Sequence, residues 1–135
     1  MLTYFRELFE HLRKRPGMFG VKTYAETAAF IDGCNAGTGG TLLQGFREWL
    51  EMRYGQPCSL VWPSMILLLM TPPLGGNYRN LEPDAEAVAQ DRMFELLDEF
   101  LAAKEPRDGL YSIFGEHRIW HDTWTRELRA RLAAE

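Results

Sequence analysis

Residues 83–104 read PDAEAVAQDRMFELLDEFLAAK, and this stretch decides the fold class. A proline suits the first turn of a helix, and the acidic residues that follow it suit the positive N-terminal end. Apolar residues recur at three- and four-residue spacing, which predicts one buried side along the segment. Those apolar positions are Ala89, Met93, Leu96, Leu97, Phe100 and Leu101. Pro106 and Gly109 then end the predicted helix.

A first helix is predicted near the start of the chain. Thr3 can cap it through its hydroxyl group. The helix ends at Arg15-Pro16-Gly17, because proline cannot continue a helix and also restricts the residue before it. Its expected buried stripe consists of Tyr4, Phe5, Leu8, Phe9 and Leu12.

Two more helices are predicted before residue 57. Thr23 followed by Glu26 is a capping-box pattern and starts the second helix. Its expected buried face consists of Tyr24, Ala28 and Ile31. Thr41 is the predicted cap of the third helix, which ends at Gly55-Gln56-Pro57.

The segment at residues 59–70, SLVWPSMILLLM, is continuously apolar, which is typical of a buried helix or of a buried strand. We expect a short helix from Pro63, because proline suits a first turn and Met and Leu outnumber β-branched residues. A short strand is the alternative. Residues 71–81 contain two prolines and two glycines and predict a long loop that can bind a partner.

After Gly109 the pattern predicts a short helix near 110–114 and a terminal one over about 119–133. Trp120, Trp124, Leu128 and Leu132 follow at a spacing of four in the terminal helix. The prediction is therefore a mostly α protein, one compact domain over residues 1–135 with about five to seven helices. Such a length can bury a core of its own.

Composition and charge exclude several classes of protein. A net charge of -4 and a pI near 5.4 argue against nucleic acid as a partner, which needs a positive surface. The start of the chain lacks the order of a secretory signal, and no apolar run approaches the roughly 20 residues of a membrane span. We expect a cytoplasmic protein without a membrane partner. Cys34 and Cys58 are interpreted as reduced, buried thiols, with a single bridge as the alternative.

Each partial match to a catalytic motif in this sequence lacks a residue that the motif requires. His117 and His121 are four residues apart, so they share one side of a helix, but spacing fixes no third metal ligand. Gly37-Thr38-Gly39-Gly40-Thr41 precedes a predicted helix, but no Gly-Lys-Ser/Thr follows as in a phosphate loop. No serine lies in a nucleophile elbow. We therefore predict no enzymatic activity and no cofactor.

Several segments resemble small bacterial proteins of uncharacterised activity, some of which look like immunity proteins of polymorphic toxins. The segments are RPGMF (15–19), FIDGCNAG (30–37), GFREWL (45–50) and the acidic LLDEFL (96–101). The resemblance implies a cognate protein toxin as the partner, and it assigns no functional residue.

The leading hypothesis is a noncatalytic immunity protein whose acidic surface binds a basic toxin such as a nuclease. Acidic charge accelerates the encounter with a basic partner, and an exposed aromatic ring can anchor the contact. The predicted partner-binding residues are Tyr78, Glu82, Asp84, Glu86, Asp91, Glu95, Asp98 and Glu99. Two alternatives are a small metal- or ligand-dependent enzyme using His117 and His121, and a structural homodimer paired through Trp120 and Trp124.

Overall fold

Proline and glycine residues set most of the helix boundaries in the computed structural model, which describes residues 1–135. Six α-helices are present, with two short 3-10 helices at Pro16–Phe19 and Tyr78–Asn80 and no strand. The α-helices are α1 (Leu2–Lys14), α2 (Tyr24–Gly37), α3 (Phe46–Tyr54), α4 (Trp62–Leu68), α5 (Pro83–Lys104) and α6 (Gly109–Ala134). The predicted fold class, one compact all-helical domain, is confirmed.

Helix α5 has the predicted bounds and is the central helix of the fold. Helices α1, α2, α4 and α6 all contact it. Its predicted apolar side is fully buried, because these neighbours surround it on that side. The residues concerned are Ala89, Met93, Leu96, Leu97, Phe100 and Leu101.

The ambiguous apolar segment forms a helix, α4, with Pro63 in its first turn. The prediction of a helix is confirmed, and the strand alternative is wrong. Helix α4 packs directly on α3 and α5. Two hydrogen bonds from buried rings fix its start. The Tyr24 hydroxyl donates to the carbonyl oxygen of Pro63 at 2.5 Å, and Trp62 Nε1 donates to Asp32 Oδ1 at 2.8 Å.

The predicted capping box of α2 is confirmed. The Glu26 N–H donates to Thr23 Oγ1 at 3.1 Å, and the Thr23 N–H donates to Glu26 Oε1 at 3.1 Å. The bond from the Thr23 N–H lowers the pKa of the Glu26 carboxyl group, because it favours the charged form. The start of α2 is thus defined by local sequence alone.

The two other predicted threonine caps are wrong. Thr3 lies inside α1, and its hydroxyl donates instead to Glu105 Oε1 at 3.0 Å. Thr41 precedes α3 by several residues, and its hydroxyl donates to the Thr38 carbonyl oxygen at 2.9 Å. Helix α3 instead begins after Gly45, whose φ of 92° suits glycine.

Tyr4 is 64% exposed, although the rest of its predicted stripe is buried or half-buried. Helix α1 runs antiparallel to α5, since Thr3 contacts Glu105 and Arg6 contacts Asp98. Leu2, two residues earlier, is half-buried and packs against the core, so the first turn of α1 is covered on that side. Tyr4 lies off the side that packs, and its place in the predicted stripe is wrong.

Residues 109–134 form one continuous helix, α6, so the predicted break between two shorter helices is wrong. The stretch contains no proline, and a single glycine in a helix costs only about 1 kcal/mol. His117 also bonds to Glu51 of α3 at 2.9 Å and fixes this stretch against the core. No helix combines the length and the apolar character that a membrane span requires.

Candidate functional site

Some of the acidic residues of α5 pair with basic residues elsewhere in the chain. The Arg6 guanidinium donates to both carboxylate oxygens of Asp98, at 2.9 and 3.3 Å, and to Glu105 at 2.7 Å. The bond to Asp98 is the main cause that raises the pKa of Arg6. Asp98 thus holds the basic helix α1 against α5, and it is less available to a partner than predicted.

Three more of the predicted acidic residues have partners within the chain. The Tyr24 N–H donates a hydrogen bond of 2.6 Å to the Glu86 carboxylate. Glu86 is therefore a second side-chain acceptor at the start of α2, besides Thr23. Glu99 pairs with Arg53 of α3 at 2.7 Å, and Glu95 pairs with Arg92 of its own helix at 3.1 Å. The Arg92 pair is exposed and weak, since such surface pairs contribute less than about 1 kcal/mol. Glu95 therefore remains open to solvent and to a partner.

Glu82, Asp84 and Asp91 are exposed and form no ion pair within the chain. Asp84, Asp91 and Glu95 follow at spacings of seven and four residues, so they lie on one side of α5. Asp84 also lies in the first turn of α5, where the helix dipole stabilises a negative charge. We name Glu82, Asp84, Asp91 and Glu95 the acidic face.

An open cleft lies beside the acidic face, between α5 and the chain that leaves α4. Its volume is about 420 Å³. The lining residues are Leu69, Met70, Thr71, Val88, Asp91, Arg92 and Glu95. The apolar side chains come from Leu69 and Met70 on one wall and Val88 on the other, and the charged side chains all come from α5. We name this feature the α4–α5 cleft.

Val88 is the exposed apolar residue of this region, with 57% of its surface accessible. Val88 was not among the predicted partner-binding residues. The signal was present, because Val88 lies four residues after Asp84 and three before Asp91, which places it on the same side of α5. Val88 is thus an exposed apolar side chain between two exposed acids.

Tyr78, the predicted aromatic anchor, lies in the short 3-10 helix Tyr78–Asn80. It is half-buried, and its ring packs edge-on against Tyr24 with centroids 6.3 Å apart. The Arg79 guanidinium covers the ring at 4.6 Å from its centroid. The ring therefore fixes the loop over residues 71–81 against the core.

No protein-family model, curated protein or solved structure matches this chain. The geometry of the acidic face and the α4–α5 cleft must therefore indicate what the site does. Apolar walls beside two acids and one arginine, which are negative overall, fit an apolar side chain flanked by lysine or arginine. A protein surface rich in basic residues carries that combination.

The two histidines lie on one side of α6, as their spacing predicted. His117 Nε2 lies 2.9 Å from Glu51 Oε1, and the rings of His117 and His121 stack at 6.1 Å. The other oxygen of Glu51 accepts the Cys58 N–H at 2.9 Å. No three His, Cys, Asp or Glu side chains lie close enough together to hold a metal ion. The Glu51–His117 pair joins α3 to α6.

The glycine-rich segment at 37–41 ends α2 and does not open a helix, so its amides do not face outward. The N–H groups of Thr38, Gly39 and Gly40 donate to carbonyl oxygens of the last turn of α2. Lys104 fixes the same segment from α5, since its Nζ donates to the carbonyl oxygens of Thr41 and Leu42. Burial lowers the pKa of Lys104, because no carboxylate offsets the desolvation. The segment is a helix connection anchored by a lysine.

Both cysteines are free thiols and half-buried, less covered than predicted. Burial raises the pKa of the Cys34 thiol. A raised pKa leaves less of the reactive thiolate at neutral pH, so this position suits packing more than nucleophilic chemistry.

Proposed function

We propose that this protein is a noncatalytic binding domain, a bacterial immunity protein that neutralises a cognate toxin by direct contact. The contact uses the acidic face and the α4–α5 cleft. The observation that carries the proposal is the combination of exposed acids, three of them without an ion pair, with an exposed Val88 beside an open cleft.

The charge of the acidic face selects a basic partner, such as a nuclease domain. Long-range attraction accelerates the encounter, and it also fixes the orientation in which the two surfaces meet. Because the whole chain carries a net charge of -4, the rest of the surface does not oppose this attraction. The acidic face therefore acts mainly on the rate of association.

The α4–α5 cleft supplies the part of the contact that holds the complex together. Apolar groups at the centre of an interface contribute most of the binding energy when polar groups around them exclude water. We interpret Leu69, Met70 and Val88 as such a centre. Asp91, Arg92 and Glu95 form its rim, which is negative overall. An apolar side chain of the toxin between two basic residues is the expected occupant.

We propose a noncatalytic role because the titratable side chains that have hydrogen-bond partners connect one part of the fold to another. His117 and Glu51 bond to one another between α3 and α6. Lys104 is bonded to carbonyl oxygens, and Glu86 is bonded to the first turn of α2. We interpret each group as one that stabilises a contact between elements.

The resemblance of several segments to bacterial proteins of the immunity kind supplies the class of partner. Toxin and immunity genes lie next to one another, so the test uses the purified protein encoded by the adjacent upstream reading frame. We expect a one-to-one complex in titration calorimetry and loss of the toxin's activity at equal concentration. An adjacent toxin that neither releases heat nor loses activity would overturn the proposal.

A further inference from the structure

The α4–α5 cleft has a single basic residue in its lining, Arg92, which lies between Asp91 and Glu95 in the sequence. The Arg92 side chain is 34% exposed, and its Nη1 donates to Glu95 Oε2 at 3.1 Å. No other hydrogen bond joins this side chain to the rest of the protein. A guanidinium group has five N–H donors, so four of them have no acceptor within the chain. Arg92 therefore has unused donors in a cleft whose other charged groups are acids.

The ion pair with Glu95 contributes little to the stability of α5. Arg92 precedes Glu95 by three residues, and a base before an acid is the less favourable order in a helix. Glu10 and Arg13 of α1 have the favourable order at the same spacing. Exposed pairs also contribute little in general. Helix stability alone thus gives no reason for a basic side chain in this acidic cleft.

A partner that covers the cleft must offset the loss of water around Arg92. A charged group that is covered without hydrogen-bond acceptors is costly, because it loses its bonds to water and gains none in return. A partner surface with only basic and apolar groups adds repulsion, since like charges then lie close together. Tight binding at the cleft therefore requires an acceptor opposite Arg92.

We propose that Arg92 determines which basic proteins bind the α4–α5 cleft, by favouring a partner that places a carboxylate beside its basic and apolar groups. The inference rests on the proposed function, because it takes the toxin as the occupant of the cleft. A carboxylate matches the planar guanidinium through two parallel hydrogen bonds. Surfaces that carry only bases bind poorly, so the acidic face attracts many basic proteins but retains few of them.

The test replaces Arg92 with glutamine and measures binding to the toxin from the adjacent gene by surface plasmon resonance. We expect the dissociation rate to rise roughly tenfold or more, because the loss of one partner of a covered charge pair acts mainly on dissociation. Net charge alone predicts the opposite result, since a more negative protein attracts a basic toxin more strongly. The direction of the change therefore separates a contact with an acid from general attraction.

Arg126→Gln is the matched control. Arg126 is exposed on α6 and forms no ion pair, so this variant loses the same charge outside the cleft. Its dissociation rate should equal that of the wild type. Arg92→Lys should dissociate at a rate between those of the wild type and Arg92→Gln, because lysine keeps the charge and loses the planar fork.

Three results would overturn the inference. If Arg92→Gln binds the toxin as tightly as the wild type or more tightly, no acid lies opposite Arg92, and the proposed function stands without it. If Arg92→Lys dissociates faster than Arg92→Gln, the positive charge is repelled by the toxin. A toxin that does not bind the wild type overturns the proposed function and the inference together.

Discussion

Replacing Gly109 with alanine should lower the free energy of unfolding by about 3 kcal/mol, the largest effect expected of any single methyl group in this chain. A Cβ at this position would lie 2.5 Å from the carbonyl oxygens of both Ala103 and Lys104. Both are backbone atoms at the end of α5, so no side chain can rotate to relieve the clash. The start of α6 must then move away from α5, which opens the core at Ile113.

Urea denaturation followed by circular dichroism measures this loss. Gly33→Ala serves as the control, because the same methyl group there meets open space inside α2 and should add roughly 0.5–1 kcal/mol. The two substitutions thus have opposite signs. Equal stabilities for the two variants would contradict the close packing of α5 against α6.

Reversing the acidic face by Asp84→Lys, Asp91→Lys and Glu95→Lys together should slow association with the adjacent-gene toxin at least tenfold at low salt. The wild-type rate should fall steeply as salt rises, because exposed charges are screened over about 10 Å at 0.1 M. The rate of the variant should depend on salt weakly or in the opposite direction. Stopped-flow mixing at several salt concentrations measures both effects.

A second triple variant separates the acidic face from net charge. It carries the substitutions Glu7→Lys, Glu116→Lys and Glu127→Lys, which change the net charge by the same amount as the first triple variant. The three acids replaced are exposed and form no ion pair. This variant should lose much less of the association rate. If both triple variants slow association equally, the charge of the whole protein steers the encounter and the acidic face has no special part.

Local sequence was sufficient for the elements whose boundaries depend on nearby residues. The bounds of α5 follow from Pro83 and the apolar spacing, and the start of α2 follows from the bonds between Thr23 and Glu26. Thr3 and Thr41 carried the same kind of signal and did not act as caps. Thr3 bonds to Glu105, far along the chain, and no local pattern contains that contact.

The candidate site was predicted only in part, for the same reason. In the sequence, an acidic residue on a helix looks the same whether its side chain faces solvent or pairs with a distant arginine. Asp98 pairs with Arg6, which lies 92 residues away. The sequence therefore could not separate Asp98, Glu99 and Glu86 from the acids of the acidic face. Val88 could have been found, since its spacing places it between Asp84 and Asp91. The cleft itself depends on where α4 packs, which no pattern in α5 encodes.

Hydrogen exchange of the complex with the adjacent-gene toxin tests most directly where the partner binds. We expect slower amide exchange on binding in residues 69–95, which include the α4–α5 cleft and the acidic face, with α6 unchanged. A complex that forms without slower exchange in residues 69–95, or with protection confined to α6, would contradict the proposed contact.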